Sequence, residues 1–289
     1  MFQKILPSLA ALVLLASCSV KEERAQCLAP VTVHVNTFSV SQEPFTKATD
    51  VADYTGVKFI TLAFYKGDGT EVYKHTQERG NLQEGETFGE FSTSLPMGNY
   101  TMVALGYVLY DDDALTLTSP TQAEFSNGCI RETFAVTQAV NVINTSALNL
   151  SATLDRIVTC LHVISSDGKT ANVNKVRMTF SAGGKVFNPT TGLATVNTGS
   201  ESVVGVSAAV GNSSTSIGYV FLTTDEQAMD VTIETLDSDG NTLFSKTVTD
   251  VPFKRNRKTI LTGAMYTNDG LSGSFQLNTD WLTEHNMSL

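Results

Sequence analysis

Few positions in this 289-residue chain have the residue types and spacing that chemistry demands. The four histidines, His34, His75, His162 and His285, are scattered, with no His-x-x-x-His and no His/Cys pairing at metal-ligand spacing, so no metal site is expected. Asp111-Asp112-Asp113 gathers carboxylates but lacks the Asp-x-Asp-x-Asp-Gly spacing that wraps calcium, and reads as a solvated loop. No Gly-x-Ser-x-Gly elbow, phosphate-binding loop or dinucleotide fingerprint occurs. With no nucleophile placed beside an acid or base, neither an enzyme nor a cofactor is expected. The basic run Lys254, Arg255, Arg257 and Lys258 suits anionic headgroups or a neighbour's acidic surface, against the plainer reading of a polar hairpin end. Tyr107, Tyr110 and Trp281 offer faces for a sugar, although aromatics in sheets more often fill cores.

One reaction is specified, at the N-terminus. Lys4 gives a positive start, and Ile5 to Leu15 forms an apolar stretch of secretory-signal length, well short of the ~20 residues that span a bilayer. Leu15-Ala16-Ser17-Cys18 follows and resembles the lipobox of bacterial lipoproteins, in which small residues precede the cut and the cysteine thiol takes the lipid. Acyl chains add about 0.8 kcal/mol per buried methylene, and more than one chain is needed for firm anchoring. The next residues, Ser19-Val20-Lys21-Glu22-Glu23-Arg24, are similar to the Lys-plus-acidic signal that sends lipoproteins of Bacteroidetes-type bacteria to the cell surface. The expected location is therefore the outer membrane, lipid-anchored through Cys18 and surface-exposed. Cys27, Cys129 and Cys160 then remain, an odd number without a CxxC pair; they read as inert thiols, with a Cys27 to Cys129 bridge left open.

Charge excludes one class of partner. Against 19 Lys and Arg stand 29 Asp and Glu, for a net charge of -10; without residues 1–17, which hold one Lys and no acid, 18 basic residues face 29 acidic ones and the net is -11. Affinity for phosphate backbones comes from Lys and Arg displacing counterions, so no nucleic-acid partner is expected. A 42% hydrophobic content is ample for a packed core.

The elements that must position any site read as strands. The chain has 38 Thr and 28 Val, β-branched residues that fit a pleated surface. Val31, Val33 and Val35 alternate along one face. The run Val57 to Tyr65 ends in Lys66-Gly67-Asp68-Gly69 and resumes at Thr70, a hairpin signal. Further short runs punctuated by Pro96-Met97-Gly98-Asn99, Ser166-Asp167-Gly168, Gly183-Gly184 and Asp239-Gly240-Asn241 continue to Trp281, and no helical stripe holds over three turns. This pattern predicts an all-β chain of antiparallel sandwiches. The strand pattern restarts near residues 144 to 153, which divides the chain into a signal peptide (1–17), a tether (18–30), an N-terminal β-sandwich domain (31–148) and a C-terminal one (149–289).

Several segments carry a family resemblance. The lipobox, the early strand, Phe45-Thr46-Lys47-Ala48-Thr49 and Val57 to Gly69 resemble the opening of Bacteroidetes fimbrillins, as do Leu95 to Ala104, Val251 to Gly263 and the last strand ending in Asp280-Trp281. The resemblance implies two tandem transthyretin-like β-sandwich domains. It also implies a structural or anchor subunit of surface fimbriae, contributing to adhesion and assembled by β-strand exchange with other fimbrial subunits in a homo- or heteropolymer. In that scheme a protease removes the first strand, here Val31 to Val40, and a neighbour's terminal strand fills the groove by main-chain pairing. Lys47 is then the basic cleavage point, although stalk subunits tend to use an Arg; if no cleavage occurs, the lipid is retained and the chain resembles an anchor or accessory subunit, a choice the sequence leaves open. Phe275, Leu277, Thr279 and Trp281 share one face of the last segment and are the donor plugs, unless this is simply the closing strand of its own domain. The alternative is a monomeric surface lipoprotein binding a polysaccharide, host receptor or other ligand.

Overall fold

In the computed structural model the described residues are 27–42, 45–110, 113–126, 130–266 and 276–278, and their regular structure is twenty β-strands. The all-β expectation is met. None of the described residues forms a helix long and apolar enough to cross a membrane.

The first half builds one continuous sheet from β1 (Leu28–Gln42), β2 (Phe45–Asp50), β3 (Phe59–Lys66), β4 (Glu71–Glu78), β5 (Glu90–Pro96), β6 (Gly98–Tyr107), β9 (Thr133–Val142) and β10 (Leu148–Arg156), in the order β2-β1-β10-β9-β6-β3-β4 with β5 also on β1. Only two residue pairs join β9 to β10, and at that corner the sheet folds over into two layers. Val31, Val33, Phe91 and Leu154 meet Ile60, Leu62, Met102 and Phe134 across the core between them. The interior strand β3 is buried without alternation because both its faces are covered. Its second face, with Ala63 and Tyr65, packs under the hairpin of β7 (Leu115–Ser119) and β8 (Gln122–Phe125). That hairpin pairs with β13 (Val186–Asn188), which is joined to β14 (Leu193–Ala194), so a four-stranded sheet is shared between the two halves of the chain. Phe187 stacks on Phe221 at 4.1 Å within this bridging core.

The second half places β16 (Thr215–Val220), β11 (Thr159–Ser165), β19 (Lys258–Gly263) and β20 (Gln276–Asn278) in one sheet. A second sheet holds β15 (Ser200–Gly205), β12 (Lys175–Phe180), β17 (Glu226–Leu236) and β18 (Thr242–Lys254). Leu161, Val163 and Leu261 of one face Met178, Phe180, Ile233 and Phe253 of the other.

Two details depart from the sequence reading. The pairings β1 with β10 and β11 with β19 are parallel, so the sheets are mixed at these places rather than purely antiparallel. Side-chain alternation is the same in both orientations, which is why the pattern did not separate them. In addition, β10 sends Ala152 and Leu154 into the first core. The chain therefore leaves the first core after Leu154, contributes Ile157 and Val158 to the bridging core, and enters the second core at Leu161.

Candidate functional site at the first strand

β1 is an interior strand. One edge pairs with β10 over Val31 to Ser39; the other pairs first with β5, over Leu28 to His34, and then with β2, over Thr37 to Gln42. Ala29, Val31, Val33 and Phe38 are wholly or almost wholly buried. Each large apolar side chain of this kind contributes roughly 1.5–3 kcal/mol. Removal of β1 would open a groove with an unpaired ladder on both sides and a row of apolar pockets beneath. Gly89 closes the approach: its carbonyl accepts from Val35 N at 2.8 Å, its φ is +92°, and a Cβ there would sit 2.9 Å from the Val35 carbonyl oxygen. Lys47 lies within β2, the outermost strand, with its backbone in register with Val40.

Beyond β2 the chain is clamped. The Arg79 guanidinium donates to the carbonyls of Val51 (2.6 Å), Val57 (3.0 Å), Tyr54 (3.3 Å) and Ala52 (3.4 Å), and it stacks over Phe88 at 4.1 Å. Tyr54 donates its hydroxyl to Glu132 at 2.9 Å and accepts from Arg156 at 3.1 Å, while Arg156 and Glu132 form an ion pair at 2.5 Å. Burial pushes the Tyr54 phenol up to about 12, with the Glu132 charge adding to it. The segment 51–57 is thus held from downstream by Arg79 and Glu132, as well as from upstream by the bond from Val51 N to the Asn36 carbonyl at 3.0 Å. Arg79→Ala leaves half-buried carbonyls without their donor and should cost about 1.5–3 kcal/mol; amide exchange should rise in residues 51–57 before it rises elsewhere in the first core.

The other end of the chain is rooted as firmly. The Asp167 carboxylate accepts from the backbone N–H groups of Met265 and Tyr266, each at 2.8 Å, and the Tyr266 hydroxyl is hydrogen-bonded to Ser214. β20 then pairs with β19 at the sheet edge, Leu277 opposite Leu261. Cys18, Phe275, Thr279 and Trp281 lie outside the described residues, as do Cys129, Asp111, Asp112 and His285.

The remaining sequence candidates are distributed through the fold and do not converge. His34 lies 3.4 Å from Glu90, and His75 makes a 2.7 Å contact with Glu86. Neither ring nitrogen of His162 has a partner, and burial lowers its pKa. Among the described residues no cluster of three potential ligands is suited to a metal. The basic run caps the β18–β19 turn, where Lys254 pairs with Glu226 at 2.7 Å and Arg255 with Asp225 at 2.8 Å. Those acids precede the run by some thirty residues, so only the fold reveals the neutralisation. Tyr107 is core, stacked on Phe59 and hydrogen-bonded to Thr61, whereas Tyr110 is 51% exposed beside Lys58 and Arg131. Asp113, from the acidic run, pairs with Arg131 at 2.8 Å.

Among the described residues, Cys27 and Cys160 form no disulfide. Cys27 is exposed, and burial pushes the Cys160 thiol up to about 11, so that it stays protonated at neutral pH. Iodoacetamide at pH 8 should therefore alkylate Cys27 in the native protein and spare Cys160, as read by peptide mass spectrometry; equal labelling would contradict this placement.

Solved structures with a similar arrangement of strands include proteins described as adhesins. A candidate adhesin from Bacteroides ovatus matches with a TM-score of 0.51 at 12% identity, over 85% of this chain and 88% of that one. A candidate polysaccharide-binding protein from Bacteroides thetaiotaomicron matches at 0.50 and 10% identity, over 82% and 92%. The fimbrial anchor protein Mfa2 from Porphyromonas gingivalis stands at 0.47 and 14% identity, over 87% and 95%, a distance at which the likeness carries no argument. Identities this low show a shared fold alone. The chain belongs to a family of unknown function, DUF6562, whose model matches residues 25–288. No curated protein matches it in sequence.

Proposed function

We propose that the chain is a lipid-anchored subunit of an adhesive surface fibre, held at the outer membrane through Cys18 and joined to neighbouring subunits by strand exchange. The seating of β1 carries this reading: the strand fills the first core, and the basic residue at which it would be released, Lys47, lies in a paired strand rather than a free loop. An intact first strand keeps the lipid covalently joined to the folded chain, which favours an anchor or accessory subunit over a stalk subunit. With its own groove filled, the chain acts as donor. The segment carrying Phe275, Leu277, Thr279 and Trp281 leaves its three-residue edge pairing and enters a neighbour's groove, where main-chain hydrogen bonds supply affinity and alternate side chains supply fit. Outer-membrane preparations should then show ladders resistant to sodium dodecyl sulfate that vanish when residues 272–289 are deleted. A single band in both intact and truncated protein would contradict strand exchange.

Tyr110 supports a second reading. An exposed ring flanked by Lys58 and Arg131 is suited to stacking on a sugar, and a binding lipoprotein would use it without self-association. Saturable polysaccharide binding by a monomer, lost in Tyr110→Ala, would favour this alternative.

A further inference from the structure

The end of the first sandwich at which the chain enters has an unusual surface. Three segments meet there in register: the start of β1, with Leu28 opposite Pro96; the β5–β6 turn, with Gly98 opposite Val142; and the β9–β10 loop, with Leu148 opposite Val31. Leu28 is 48% exposed, Met97 55% and Ile143 72%, at the tips of these three segments. Apolar side chains this exposed, and grouped, mark a surface made to contact something. Residues 28–30, 94–99 and 141–149 contain no charged side chain, in a chain whose net charge is -10. The fourth turn at this end, Lys66 to Thr70, holds one Lys and one Asp, which cancel.

Two facts identify the occupant. Eight residues lie between Cys18 and Cys27, a reach of at most roughly 30 Å even fully extended. This end of the molecule therefore cannot leave the neighbourhood of the acyl chains. An anionic bilayer surface repels a strongly acidic protein, and the uncharged end is the part that approaches without that penalty and without stripping water from ions.

We propose that this end of the first sandwich rests on the lipid surface, with Leu28, Met97 and Ile143 entering the headgroup region beside the anchor. The inference builds on acylation at Cys18 and on retention of β1, and it specifies the orientation they leave open. Tyr266, the root of the C-terminal segment, lies at the end of β19 remote from the crossing at Ile157–Val158, so the donor segment leaves from a part of the fold that does not touch the membrane.

The test uses the full acylated chain in vesicles of phosphatidylethanolamine and phosphatidylglycerol. Met97, Ile143 and, as a control, Val210, 63% exposed in the second half, are replaced one at a time by photoreactive benzoylphenylalanine. On irradiation, positions 97 and 143 should give lipid adducts in several-fold excess over position 210. Equal yields at the three positions, or adducts to a second copy of the chain in place of lipid, would overturn the assignment. The mass of the N-terminal peptide from the same sample separates the two levels: an unacylated terminus defeats the anchoring reading and this orientation with it, whereas an acylated terminus without excess adducts defeats the orientation alone.

Discussion

Phe38→Ala should lower the stability of the first core by about 3 to 5 kcal/mol, the range for emptying a phenylalanine site that cannot collapse. Collapse is blocked because the ring is fully buried between Tyr54 at 5.5 Å and Phe134 at 5.0 Å, and because Gly106 has no side chain to fill the gap. Calorimetry should show the loss as a lower transition temperature, while Ile217→Ala, at a residue 38% exposed, should shift it far less. The comparison decides whether β1 is a structural member of the core or a loosely seated strand. A Phe38→Ala effect below about 1 kcal/mol, typical of a surface change, would mean that the strand is not held as described.

The second large effect concerns the ion pair behind the clamp. Arg156 and Glu132 have side chains only 21% and 15% exposed, Arg156 lies over the Phe134 ring at 5.3 Å, and its Nε has no partner. Glu132→Gln removes the negative charge and leaves a largely buried guanidinium uncompensated, at an expected cost of about 3 to 5 kcal/mol. Replacing both residues, Glu132→Gln with Arg156→Met, removes the stranded cation as well and should restore much of that loss. Urea denaturation of the two single variants and the double variant closes the cycle. Additive losses would show that the two side chains are not coupled.

Alternation in β1 put Val31, Val33 and Val35 on one face, and they are in the core. The same rule places Phe38 on the opposite face, yet it joins them, because the register slips between Val35 and Thr37 and the extra residue turns the side chain inward. A bulge of this kind leaves no mark in a period-two pattern. The β3–β4 hairpin was legible through Lys66-Gly67-Asp68-Gly69, whereas β13 and β14, of three and two residues, were too short to give any period. The Arg79 clamp was invisible for a different reason. A single arginine gathers four carbonyls from a segment more than twenty residues away in the chain, and carbonyls are present at every position. The lipobox-like motif, by contrast, is contiguous, so Cys18 is proposed from the sequence alone and lies outside the described residues.

Mass spectrometry of the mature N-terminus tests the central claim most directly, applied to protein recovered from the outer membrane and to material sheared from the cell surface. An anchored subunit that keeps its first strand predicts a chain beginning at acylated Cys18 in both fractions. High-mass sheared material beginning at Ala48 would contradict it, since the chain would then have lost β1 after Lys47 and polymerised as a stalk.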